Sequence, residues 1–244
     1  MQLDHLKESI DDVDPNNQPV IKMLHPSGQS GPRLGVFASS FNPPTNAHVE
    51  LIQRAAAIFG LDEVLALAGK TNADKLEYEC SLEDRLAMLT LAVASVPFVS
   101  IGLSSHAFYV DIIDALKRLY PDQTDLHFIV GFDTFERVLD AEDRYTTRYH
   151  REFRGRTEAI GYLFANSHLI VAGRAGLGLP NVGSLVEREP SVPDNRVLYL
   201  DFPADLGEMS ATEVRTRRRK GLSIKELVPV SVENYIIEHG LFVM

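Results

Sequence analysis

Apolar residues in this chain recur in two alternating periods. Short apolar runs, the pattern of strands covered on both faces, occur at Arg33 to Ser39, Glu63 to Ala68, Phe98 to Gly102, Leu126 to Gly131, His168 to Gly173 and Arg196 to Asp201. Between them the spacing changes to that of helices: Asn46 to Phe59, Leu82 to Ser95, Ala107 to Tyr120, Thr134 to Leu139 and part of Thr157 to Ala165. The first of these helices has Ala47, Leu51, Ala55 and Ile58 at helical intervals, with Val49, Ile52 and Ala56 beside them. Strand and helix alternating in this way predict an α/β fold, a Rossmann-like open parallel sheet with helices on both faces. Residues from Ala211 onward read as a C-terminal segment of two helices, the second carrying Val232, Tyr235, Ile236 and Leu241 inward. Before Arg33 there is one short helical possibility, Leu3 to Ile10. The turn-rich stretch after it holds Pro15, Pro19, Pro26, Gly28 and Gly31. The division predicted is an N-terminal extension over 1–32, ordered only in part, and a domain over 33–244.

Composition narrows the class without changing the fold. The 244 residues are 45% hydrophobic and 24% charged, enough to bury a core. The formal net charge of −10 disfavours a nucleic-acid partner, which needs an extended basic surface. No apolar run is long enough for a membrane span, and the acidic, polar start does not read as a secretory or mitochondrial leader. The single cysteine, Cys80, leaves no internal disulfide and no cysteine metal cluster. A reducing compartment suits it, cytoplasmic or nuclear. Arg215, Arg217, Arg218, Arg219 and Lys220 form the densest positive tract. It reads as a charge concentrated for a polyanion, as a solvated helix face, or as a nuclear-import signal.

The chemistry is predicted where the first strand gives way to its helix. Ser39-Ser40-Phe41-Asn42-Pro43-Pro44-Thr45 turns sharply into a helix N-terminus, with Thr45 and His48 three apart in its first turn. The carboxyl end of a strand followed by a helix N-terminus is where open α/β sheets bind ligands and where free N–H groups attract phosphate. No Gly-x-Gly-x-x-Gly occurs here, which weakens a dehydrogenase reading. Far along the chain, Met209-Ser210-Ala211-Thr212-Glu213-Val214-Arg215 places hydroxyl residues before a second helical run, a capping signal.

Together these segments resemble the nicotinamide/nicotinate mononucleotide adenylyltransferases of the nucleotidyltransferase superfamily. Ser40 to His48 is similar to the family's phosphate-binding turn, with Thr45 where a first His is usual and Ala47 where Gly is usual. Met209 to Arg215 resembles the family's Ile-Ser-Ser-Thr-x-Ile-Arg. Agreement continues at Ile129-Val130-Gly131-Phe132-Asp133, at the helix containing Arg85, at Leu169 to Arg174, and in the tail from Leu227 to Phe242. The resemblance implies transfer of AMP from ATP to a pyridine mononucleotide, giving an NAD-type dinucleotide and pyrophosphate, with Mg2+ accompanying ATP. It implies His48, Thr45 and Arg215 as catalytic. Ser39, Ser40, Phe41, Lys70, Gly131, Asp133, Arg174, Ser210 and Thr212 would bind nucleotide. Relatives stack the pyridine on an aromatic, often Trp; this chain has none, and Phe108 or Tyr109 is the replacement, unless that pair is core. Arg85 pairs either with a carboxylate or with substrate. The stretch Asp140 to Gly161 matches the family poorly and is read as acceptor specificity or a contact in a homo-oligomer. The other readings are a different acceptor such as phosphopantetheine, CTP as donor, a nucleotide-binding module without turnover, and a fragment of a class I aminoacyl-tRNA synthetase. Nicotinate and nicotinamide are not separated by these residues.

Overall fold

The computed structural model describes residues 3–71, 73, 78–173 and 179–243. The chain runs α1 (Leu3–Asp11), β1 (Ile21–His25), β2 (Arg33–Ser39), α2 (Asn46–Phe59), β3 (Glu63–Gly69), α3 (Leu82–Val93), β4 (Val99–Ser104) and α4 (Tyr109–Leu119). It continues through β5 (Asp125–Gly131), α5 (Phe132–Leu139), α6 (Arg156–Asn166), β6 (His168–Ala172), α7 (Leu179–Glu187) and β7 (Val197–Leu200), and ends with α8 (Ala204–Gly207), α9 (Ala211–Arg219) and α10 (Val230–Glu238). Seven strands form one sheet in the order β1-β4-β3-β2-β5-β6-β7. β2 to β7 are parallel, and β1 runs antiparallel along β4. The predicted Rossmann-like architecture is therefore present, with β1, α7 and α8 added to it.

The sheet divides the core in two. Successive side chains along a strand point to opposite faces. Val64, Ala66 and Ala68 of β3 join a layer with Ile52 and Ala55 of α2, Leu86 and Leu89 of α3, and Val232 and Ile236 of α10. Leu65 and Leu67 face the other way, into a layer with Ile112 and Leu116 of α4, Phe135 of α5, and Leu163 and Phe164 of α6. Ile58, placed on the buried face by periodicity, is instead 59% exposed at the end of α2, where Gly60 turns the chain in the left-handed region at φ 63°.

The segment before Arg33 packs onto the sheet. α1 buries Leu6 and Ile10, with Val13 just beyond it, in the first core layer. β1 pairs Ile21 with Ser104 and Lys22 with Leu103. This covers the edge of β4, whose unpaired amides would otherwise offer a template for another strand. Lys70 holds the arrangement, its Nζ donating to the Ile10 carbonyl at 2.7 Å. The segment packs on itself and also against α3 and β4, so part of its packing is long-range. Among the described residues no helix is long and apolar enough to cross a membrane.

From β2 the chain steps to β3 and β4 on one side, then returns to lay β5 on the other side of β2. The loops leaving β2 and β5 therefore diverge, which opens a crevice at their carboxyl ends.

Candidate active site

The turn after β2 is built from the packing of three rings. Phe41 is buried with φ 46°, a left-handed conformation unfavourable for a bulky residue by about 1–2 kcal/mol. Its ring meets Phe37 at 5.7 Å and His48 at 5.5 Å between centroids. Phe41 thus shapes the turn from within, and its side chain faces core rather than solvent.

Thr45 caps α2. Its hydroxyl accepts from the His48 N–H at 3.4 Å, and its own N–H donates to His48 Nδ1 at 2.8 Å, a reciprocal capping arrangement. Burial pushes the His48 imidazole down to about 4, so the ring is neutral near pH 7. Nδ1 is occupied as an acceptor, so the single proton lies on Nε2, leaving His48 one N–H to donate. Thr45 is itself buried and acts on His48 through the cap.

The second segment meets this turn. Ser210 caps α9, accepting from the Glu213 N–H at 3.1 Å. One turn further on, the buried Arg215 donates through Nη1 to the Asn42 carbonyl at 2.7 Å, through Nε to Glu79 at 2.7 Å and through Nη2 to the Thr212 hydroxyl at 3.2 Å. Asn46 adds bonds from its N–H to the Leu227 carbonyl and from its amide to the Glu226 carbonyl. Arg215 is thereby the clasp between the two segments. The rest of the basic tract is partly neutralised in place: Arg217 pairs with Glu213 at 2.7 Å and Arg219 with Glu79 at 2.6 Å.

Beneath the crevice lies a buried cation. Arg85, 2% exposed, donates to the Ser40 carbonyl at 3.0 Å and to the Gly69 carbonyl at 3.4 Å, with Tyr78 lying over it at 3.8 Å. Desolvation lowers its pKa. Arg85 thereby ties together the carboxyl ends of β2 and β3. Gly69 is required there, because a Cβ would lie 2.6 Å from the Thr71 carbonyl oxygen. Lys70, the neighbouring residue, directs its ammonium at α1 as described above.

A cavity of about 280 Å³ opens from Ser39 and Ser40 toward α4, α5 and α6. Phe108 stands in its wall against Tyr145 at 5.6 Å and Tyr149 at 5.1 Å, and Arg148 lies over both Phe108 and Tyr145 at 5.2 and 5.4 Å. Tyr109 also lines it, its ring packed edge-on to Phe128 at 4.7 Å and its hydroxyl pKa raised by burial. Phe108 and Tyr109 are thus cavity wall and core at once. Tyr145 and Tyr149 come from the stretch that matched the family poorly, and sequence reasoning did not single them out. Their signal was only the density of Tyr and Arg in that stretch. On the far side of the crevice, Gly131 begins α5 with open space where a Cβ would stand, and Asp133 lies in that helix's first turn. Arg174 lies outside the described residues.

The sequence profile of the cytidylyltransferase-like family matches residues 36–217. A probable nicotinate-nucleotide adenylyltransferase of Gemmatimonas aurantiaca is 30% identical over 218 residues, covering 86% of this chain and 92% of that protein. Another from Dehalococcoides mccartyi is 27% identical over 216 residues, covering 86% and 97%. Among solved structures, the Plasmodium falciparum nicotinic acid mononucleotide adenylyltransferase complexed with NaAD superposes with a TM-score of 0.63 at 16% identity, over 87% of this chain and 98% of that one. At that identity the structural likeness speaks for the fold.

Proposed function

The chain belongs to the cytidylyltransferase-like family and is an enzyme of nucleotidyltransferase type; from this we propose that it transfers the adenylyl group of ATP to nicotinate mononucleotide. The observation that carries the reading is the Arg215–Asn42 bond, which draws two helix N-termini, separated by most of the chain, to one crevice beside an aromatic-walled cavity. The relatives named as nicotinate-nucleotide adenylyltransferases support the choice of acceptor. Residues 33–244 are taken as the transferring domain, with 1–32 as its edge-covering extension.

The mononucleotide phosphate forms a bond to the α-phosphorus of ATP while the bond to pyrophosphate breaks. The attacking oxygen is already anionic, so no strong base is needed; the demand is to hold anions together and stabilise charge on the five-coordinate phosphorus. Neutral His48 meets it by donating Nε2–H to a phosphate oxygen. Thr45 positions that ring. The N–H groups at the start of α9, with Ser210 and Thr212 beside them, supply further donors. Ser39 and Ser40 join this subsite to the cavity, where Phe108, Tyr145 and Tyr149 hold the pyridine. Among the described residues the one cluster of three potential metal ligands lies at the other end of the sheet. Mg2+ would enter with ATP, and would supply positive charge to the leaving group.

The test is pyrophosphate release from ATP and Mg2+ with each acceptor separately: nicotinate mononucleotide, nicotinamide mononucleotide and phosphopantetheine. Preference for the first supports the proposal. Release only with phosphopantetheine, only with CTP as donor, or tight ATP binding without release overturns it.

A further inference from the structure

At the amino ends of β5 and β6, Asp125, His127 and His168 converge. The two histidines are register partners on adjacent strands, their rings stacked 4.7 Å apart and 12° from parallel. His127 is buried, and its Nδ1 lies 3.1 Å from the Asp125 backbone carbonyl. A carbonyl only accepts, so Nδ1 carries the proton and Nε2 presents a lone pair. That lone pair faces Asp125 Oδ2 at 3.7 Å, too far for a hydrogen bond and with an acceptor on each side. His127 Nε2 and Asp125 Oδ2 thus face each other lone pair to lone pair, an arrangement that a cation between them would satisfy. His168 closes the third side, its Nδ1 3.2 Å from Asp125 Oδ1.

We propose that Asp125, His127 and His168 form a binding site for a divalent transition metal ion, zinc being the one their chemistry fits best. Two imidazoles and one carboxylate, with a position left for water, are a ligand set suited to Zn2+. The three ligand atoms already lie within 4.8 Å of one another. Bonds of about 2.0–2.1 Å in a tetrahedron place ligand atoms about 3.4 Å apart, so loading draws the group together slightly. The partly exposed Asp125 carboxylate is free to follow. His127 also has the arrangement found behind metal-bound histidines, its other nitrogen held by a carbonyl.

Two cations face the cluster. Arg33 contributes positive charge to both rings, and Arg196 brings Nη1 to 3.3–3.4 Å from the nitrogens of His168. A metal replaces the proton that His168 Nδ1 shares with Asp125. That proton goes to Nε2 or to solvent, and an Nε2–H repels Arg196. Arg196 therefore occupies the place of a competitor, and removing it tightens metal binding. Asp125 and Gly131 are the two ends of β5, about 20 Å apart at strand rise. The site is consequently remote from the crevice, and its test does not depend on the proposed reaction.

The full chain, stripped with a chelator, is titrated with Co2+ while its visible absorption is followed, and Zn2+ is then added in competition. One equivalent of Co2+, displaced by one of Zn2+ with a rise in Tm, is expected. His127→Gln and His168→Gln each weaken uptake by about tenfold or more, and Arg196→Gln strengthens it. His106 and His150 also meet, at 5.5 Å between ring centroids, so His106→Gln is the control that leaves uptake unchanged. Should His127→Gln fail to fold, Asp125→Asn takes its place. No saturable uptake by the wild type, equal affinity in the His127 or Asp125 variant, loss of uptake in His106→Gln, or weaker binding in Arg196→Gln overturns the assignment.

Discussion

Replacing His48 by asparagine separates the two tasks assigned to its two nitrogens. An asparagine Oδ1 reaches the position of Nδ1 and still accepts from the Thr45 N–H, now 2.8 Å from the ring nitrogen. The cap therefore survives, and with it most of the roughly 1 kcal/mol that such a bond contributes. What is lost is the Nε2–H donor. Removing one donor to a transition-state oxyanion costs about 2.7–4 kcal/mol, or about 10²–10³-fold in kcat. Glutamine places its NH2 nearer the Nε2 position and forfeits the cap, so His48→Gln is expected to recover part of kcat while melting earlier. The pH dependence gives an independent check. The folded pKa of about 4 lies below the ordinary 6.5, so the neutral form is favoured in the fold. This stabilisation is fully present above pH 6.5 and is lost as pH falls toward 4. Wild-type kcat should therefore show no ionisation of His48 between about pH 5.5 and 8, and His48→Asn should lose part of the acid sensitivity of folding. Steady-state pyrophosphate release and thermal melts across pH measure both. Full kcat in His48→Asn, or a wild-type inflection near 6.5 that this variant abolishes, refutes the neutral-donor reasoning.

Arg215→Met keeps the aliphatic stem but leaves the Asn42 carbonyl without its charged donor, while Arg219 still holds Glu79. A loss of about 1–3 kcal/mol in denaturant unfolding is expected, and an unchanged midpoint would show that the clasp is not under load. Asp111 is fully buried, with Oδ1 accepting from the His150 N–H and Oδ2 unpartnered. Desolvation raises its pKa to about 6. Its contribution to stability is thus present below the ordinary 3.8 and is lost as pH rises through 6. Asp111→Asn should raise stability by about 1–2 kcal/mol at pH 7.5 and change little at pH 4, as read by melts at the two values. Deleting residues 1–25 bares the β4 edge and removes Leu6, Ile10 and Val13 from the core; light scattering should report association of the truncated chain, and a stable monomer of wild-type Tm would contradict this role.

The parallel sheet was legible because each strand is a short apolar run and each connecting helix keeps its own period. β2 and α2 begin and end where the pattern placed them. β1 was not legible, since Pro19 and Pro26 bracket only six residues and the pairing partner, β4, lies some eighty residues away. The two motifs announced a shared site, but the bond that joins them spans 173 positions and is invisible to local spacing. Lys70 illustrates the same limit: the resemblance implied a nucleotide contact, whereas its ammonium donates to the Ile10 carbonyl of α1. Asp125 and His127 alternate along one strand and so share a face by sequence alone. Only the register of β6 brings His168 to them.

The sheet's role as a partition has a consequence for how substitutions combine. Ile52 and Phe135 belong to separate core layers, so truncations such as Ile52→Val and Phe135→Leu should sum to within about 0.3–0.5 kcal/mol. Each half of the interior can then drift in sequence without compensation from the other. A variant library can therefore be divided into two sets, screened separately and merged.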